Sequence, residues 1–273
     1  MRTMASFLRK LGKRPLGCFA ALGIALGILV APSSSPGASE VSGRDVVRRM
    51  EAVRARGDGA VKRYELHLID DAGRTVTRRL TTYRKRCGAS VRQMLVIDDP
   101  PDVAGTAVLT WSHADGPPSM WLFLPELDRV RQLNPFAQGD TFLGSDITYG
   151  DVAPLPVDFR DHRLLGVSEV DGHEVYEIES TPRMPEPYSR IVTWVQRDAY
   201  LPVRVAYYDT DGALLRTGRI SDVRLVQGIP TPFRIEIEDV QREHRTELRL
   251  ADVEYDRPLA CRELTKRRLQ RTP

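Results

Sequence analysis

The chain has 273 residues, 41% hydrophobic and 28% charged, a globular balance with room for one large β domain or two ordinary ones. Its net charge of +3 comes from its start: the first 38 positions hold five basic residues (Arg2, Arg9, Lys10, Lys13, Arg14) and no acid, which leaves 35 basic against 37 acidic residues in 39–273. No basic stripe for nucleic acid is implied, and the one locally basic run, TKRRLQR near the C-terminus, reads as a solvated tail.

The basic start leads into CFAALGIALGILVA, about 14 apolar residues, and then the small residues of APSSSPGAS. That is the pattern of a signal peptide over 1–38. The run is short of the roughly 20 residues that cross a bilayer, so an uncleaved anchor is the lesser alternative. Pro32 and Pro36 leave the cleavage point open. Residues 39–273 are then expected as a single exported domain. Export bears on Cys87 and Cys261. An oxidising space permits one disulfide between them, but two unpaired buried thiols are the default reading. No CxxC occurs, so no zinc ribbon or thioredoxin site is predicted.

An amphipathic helix comes first, in VSGRDVVRRMEAVRARG. Ser42 caps it and Asp45 holds the capping-box position. Val46, Val47, Met50 and Val53 recur at helical spacing, and Gly57 ends it. From about residue 61 the texture becomes strands. Turn signals arrive every 8–15 residues, among them DDAG, DDPPD, ADGPP, VDG, DTDG and VQG. Phe233, Ile235 and Ile237 alternate with Arg234, Glu236 and Glu238, as in a half-buried antiparallel strand. The pattern predicts about twelve strands, eleven to thirteen, in an antiparallel meander curled into a barrel or part-barrel.

MWLFLP (120–125) and IVTWV (191–195) are apolar on both faces, so something must cover each side. The N-terminal helix is too small to do so alone. The remainder is a thick packed core or a lined cavity, and the core is the default.

Signs of catalysis are sparse. The five histidines (His67, His113, His162, His173, His244) form no HExxH or H-x₃₋₅-H pair. GxSxG and phosphate-binding glycine loops do not occur. Asp98, Asp99 and Asp102 flank two prolines and read as a turn before a hydrolytic site. GDTFLGSDITYGDV (139–152) lacks calcium-loop spacing. Ser145 can cap a short helical turn there, with Asp146 beside its N-terminus and with Phe142 and Tyr149 pinning it to the sheet. The stretch lies in a long excursion, PFAQGDTFLG onward, of the kind that makes lids and binding loops.

MWLFLPELDRVRQL followed by GDTFLGSDITYGDV resembles the LolA-like outer membrane lipoprotein-sorting family. So do YSRIVTWVQRDAYLPVRVAYYD, the following DG and LLRT, and GIPTPFRIEIEDVQREHRTELRL. The likeness spans roughly 41–270; Gly150, where an acidic residue is common, departs from it. The resemblance implies a half-open antiparallel β-barrel with an N-terminal helix and short helical lid elements over an apolar cavity. It makes Trp111, Met120, Leu122, Leu124, Phe142 and Trp194 candidates for the lining, and Phe142, Ser145, Asp146 and Tyr149 the lid or gate corner. It implies a periplasmic monomer that carries lipid or lipoprotein acyl chains, without catalysis, cofactor, metal or nucleic acid. The alternative is an accessory protein whose partner is an inner-membrane lipid exporter.

Overall fold

The structure, a computed structural model, describes residues 41–114, 116–134, 141–153 and 155–270. The leader expected over 1–38 and the start of the excursion at 135–140 lie outside the described residues. Residues 41–273 form one compact unit.

Helix α1 (Gly43–Arg54) begins as its sequence requires. The Ser42 hydroxyl accepts from the Asp45 amide at 3.1 Å and donates to the Asp45 carboxylate at 2.6 Å. The helix closes on Ala55, and Gly57 follows at φ +72°. A β-carbon at Gly57 would sit 2.3 Å from the Tyr255 ring, so this exit admits only glycine.

Thirteen strands follow: β1 (Ala60–Ile69), β2 (Thr75–Cys87), β3 (Ser90–Asp99), β4 (Ala107–Ser112), β5 (Ser119–Leu124), β6 (Arg129–Leu133), β7 (Arg160–Val170), β8 (His173–Pro182), β9 (Arg190–Gln196), β10 (Pro202–Tyr208), β11 (Leu214–Val226), β12 (Ile229–Asp239) and β13 (His244–Glu254). All pair antiparallel in one sheet, in the order β6-β5-β4-β3-β2-β1-β13-β12-β11-β10-β9-β8-β7. Every consecutive pair of strands is joined except β6 and β7, and β1 pairs with β13 instead. The sheet is therefore an up-and-down meander left open between β6 and β7. The excursion 134–159 connects those two edges.

The pairing register carries one face across the sheet. Leu133 opposes Met120, Leu122 opposes Val108, and Val108 opposes Leu95. Ile97 opposes Leu80, which opposes Tyr64. Leu66 opposes Leu248, and Leu248 opposes Ile235. We call this the inner face. At one end α1 lies on it, with Val46 and Val47 against Tyr176, Ile178 and Val195. At the other end residues 141–153 lie on it.

The outer face of β2–β6 is also apolar, and the C-terminal segment covers it. Leu264 and Leu269, the latter in the single-turn α2 (Lys266–Leu269), are 1% and 0% exposed against Met94, Leu109, Trp121 and Phe123. The two-faced strand 120–125 is thus sandwiched by the chain itself. Two expectations change here. TKRRLQR is no free tail as far as residue 270, because Leu269 within it and Leu264 just before it anchor it. Cys87 and Cys261 are not unpaired thiols: they form a disulfide that ties the end of β2 to the start of the C-terminal segment. The segment is held further by Trp111 Nε1, which donates to Leu264 O at 3.1 Å, and by Arg92, which donates to Cys261 O at 2.9 Å.

Candidate functional site

The inner face of β1–β6 offers a patch of buried aliphatic side chains: Leu66 and Leu68, Leu80, Leu95 and Ile97, Val108, Met120 and Leu122. Strand alternation puts them there, since each occupies an every-second position. Residues 141–153 lie on this patch. Phe142 is 2% exposed, and its ring meets Tyr149 edge-on at 5.8 Å. Ala153 is buried beside them, and Leu143, Ile147 and Val152 pack at the margin. Arg78 donates to Leu143 O from β2. The cover contains one three-residue turn, Phe142–Gly144, and one isolated bridge, Thr141–Thr148. The turn ends at Ser145 instead of starting there, because the Ser145 hydroxyl donates back to Phe142 O at 2.7 Å.

The other side of the cover is polar, and it is fixed to strands from the far half of the chain. Asp146 is fully buried. Its carboxylate accepts from Thr246 Oγ1 at 2.7 Å and contacts His244 Nδ1 at 2.7 Å, and its amide donates to Thr246 Oγ1 at 2.8 Å. The carboxylate only accepts, so Nδ1 of His244 carries a hydrogen. Arg216, 3% exposed on β11, donates to Asp146 O, to the Asp151 carboxylate at 3.0 Å and to Tyr188 OH. Tyr188 OH donates to Asp151 Oδ1 at 3.1 Å, and the Thr148 amide donates to Asp151 Oδ2 at 2.8 Å. The Arg216 guanidinium lies 4.8 Å from the Tyr207 ring centroid. This buried network is paired through nearly every oxygen it holds, as burial demands.

Of the residues singled out in the sequence, Met120, Leu122, Phe142, Ser145, Asp146 and Tyr149 are brought together here, with Leu124 partly buried against the same cluster. Trp111 and Trp194 are not. Trp111 lies on the outer face under Arg92, 4.3 Å above its ring. Trp194 alternates with Val195, which faces α1, so its side chain lies on the other side of the sheet near Arg204. Asp98 and Asp99 are engaged locally, by the Thr81 hydroxyl at 2.7 Å and by Arg79 at 3.3 Å. Among the described residues no group of three or more His, Cys, Asp or Glu is placed to hold a metal.

His244, Thr246, Arg216, Asp151 and Tyr188 were missed from sequence. One signal existed: Arg216 shares the inward parity of Gly218 and Ile220, and an inward arginine needs partners.

A split antiparallel sheet with a segment laid across its inner face is the half-open β-barrel fold also seen in solved structures of an outer membrane lipoprotein-sorting domain and a LolA superfamily protein. A domain for outer membrane lipoprotein sorting from Vibrio parahaemolyticus matches with a TM-score of 0.79 and 25% identity, over 84% of this chain and 98% of that one. A DUF1329 family protein from Desulfovibrio piger matches with a TM-score of 0.77 and 29% identity, over 83% and 97%. A LolA superfamily protein from Nitrosomonas europaea, at 20% identity, shares the fold with a TM-score of 0.69 over 84% and 99%. No protein of curated function matches. Residues 89–271 match a family model described as an uncharacterised protein, and the chain belongs to that family.

Proposed function

We propose that the protein is a periplasmic carrier that takes the acyl chains of a lipoprotein or another lipid onto the inner face of β1–β6 when residues 141–153 swing away. The observation that carries this is a continuous aliphatic patch covered by a segment with almost no regular structure of its own. Met120, Leu122 and Leu124 belong to the proposed lining, with Phe142, Ser145, Asp146 and Tyr149 in the cover. Trp111 and Trp194 take no part.

Magnitudes allow the exchange. Lifting Phe142 and Tyr149 into water costs about 2–3 kcal/mol each. An acyl chain of about 15 carbons gains on the order of 12 kcal/mol by leaving water, at about 0.8 per CH₂. A lipid can therefore replace the cover, and an empty carrier closes again. The disulfide supports export to an oxidising space. Among the described residues no helix is long and apolar enough to cross a membrane. Residues 39–273 then act as one exported unit after a leader at 1–38.

The test is a lock. The Asp146 amide and carboxylate both reach Thr246 Oγ1, so Asp146→Cys with Thr246→Cys places two thiols within bridging range. The oxidised variant should bind no fluorescent fatty acid. The reduced variant should bind it, with the native protein carried through the same reduction as control. Equal binding by the locked and reduced forms would overturn the cover role, and no binding by any form would overturn the carrier reading.

A further inference from the structure

The outer face carries a second feature, which the lipid reading does not use. Between α2 and the edge strand β6 runs an open groove of about 410 Å³, lined by Trp121, Val130, Gln132, Lys266, Arg267 and Gln270. The lining holds two cations and two side-chain amides but no carboxylate. Among the described residues neither Lys266 nor Arg267 has an acidic partner. Lys266 instead rests its ammonium 4.1 Å from the Trp121 ring centroid. Trp121 is 6% exposed, and its indole Nε1 is buried without a hydrogen-bond partner.

The groove is also built to hold its shape. Its two cations sit on a single helical turn that could not persist alone. The turn is fixed by the buried Leu264 before it and Leu269 at its end, and the segment is tethered at its start by the Cys87–Cys261 disulfide. Cations held in place over an aromatic floor, with donors beside them and no acid, are complementary to an anion with several oxygens.

We infer that this groove binds a phosphate-bearing anion, through Lys266 and Arg267 with Gln132 and Gln270 beside them. Phosphate chemistry could come from a lipid headgroup at a membrane surface or from a free phosphate. The inference stands apart from the acyl-chain site, which lies on the opposite face of the sheet.

The experiment compares the native protein with the Lys266→Gln/Arg267→Gln double variant. Both side chains are exposed, so the fold should persist, and a matching melting temperature checks this. Cosedimentation with phosphatidylglycerol vesicles, against phosphatidylcholine vesicles, tests the headgroup. Titration with inorganic phosphate, followed by tryptophan emission, tests the free anion. At about fivefold per cation near an anionic surface, the double variant should lose about 25-fold in vesicle affinity. Binding of phosphatidylglycerol alone assigns the groove to headgroups; binding of inorganic phosphate that the variant loses assigns it to free phosphate. If the native protein binds neither probe, or the variant binds both equally well, the inference is overturned.

Discussion

Arg216→Met is the sharpest probe of how the cover is held. The guanidinium is 3% exposed and donates to Asp146 O, Asp151 and Tyr188 OH. Removing one partner of a buried ion pair costs about 3–5 kcal/mol, because the other charge is left behind. Here the stranded group is Asp151, whose side chain is 15% exposed and keeps the Thr148 amide and Tyr188 hydroxyl. That places the cost near the lower end, about 3 kcal/mol, or roughly a hundredfold in the opening equilibrium of 141–153. Methionine fills much of the space beside Tyr207, so the loss is mainly polar. Native-state hydrogen exchange reads it site by site. The Phe142 amide, bonded to Ile147 O, and the Asp146 amide, bonded to Thr246 Oγ1, should exchange about a hundred times faster. The Ile97 amide, bonded to Thr106 O at the end of β3, should change far less. Unchanged exchange at Phe142 and Asp146 would refute the anchoring argument. An equal loss at all three amides would show that the cover does not open as a separate unit.

Gly43→Ala should destabilise by about 1–3 kcal/mol, because a β-carbon there would lie 2.7–2.8 Å from the β7 backbone at His162–Leu164. Helix propensity alone gives the opposite sign, so a raised melting temperature would refute the packing account. Burial first, then Arg54 and Arg84, push the Lys62 ammonium down to about 8. An unfolded lysine titrates near 10.4, so between about pH 8 and 10 the unfolded chain binds more protons and stability rises with pH; below 8 the full cost is present. Lys62→Met should accordingly be more stable than the native protein at pH 7 in urea melts and lose that alkaline rise, and lower stability at pH 7 would contradict the sign. Opening the Cys87–Cys261 bond with serines releases a separation of 174 residues. Loop-closure entropy puts the loss at about 5 kcal/mol and typical measurements at about 2–5, so an unmoved urea midpoint would refute it.

The sheet was legible because turn chemistry and alternation are local. Ser42 and Asp45 marked the helix start, and the turn clusters separated the strands. The run 120–124 in β5 also showed that two covers were needed, since five consecutive apolar residues cannot face water on either side. The identity of the covers was not legible. The apolar part of the C-terminal docking is Leu264 and Leu269, and two leucines among four basic residues look like a solvated run. Asp146 meets Thr246 and His244 about a hundred residues away, a pairing that only register creates. Trp111 and Trp194 sit in strands apolar on both sides, where parity gives no direction. The disulfide was open for the same reason: nothing local brings Cys87 to Cys261.

The join between β1 and β13 has a consequence for how the molecule is made. Spooled out from its amino end, the chain presents Ala60–Ile69 with one bare margin until His244–Glu254 arrives. Neither half of the meander can be stitched to the other before that moment, and such distant pairing is slow. The last strand of the chain is thus the one that seals the middle of the sheet, joining two runs of neighbour-paired strands.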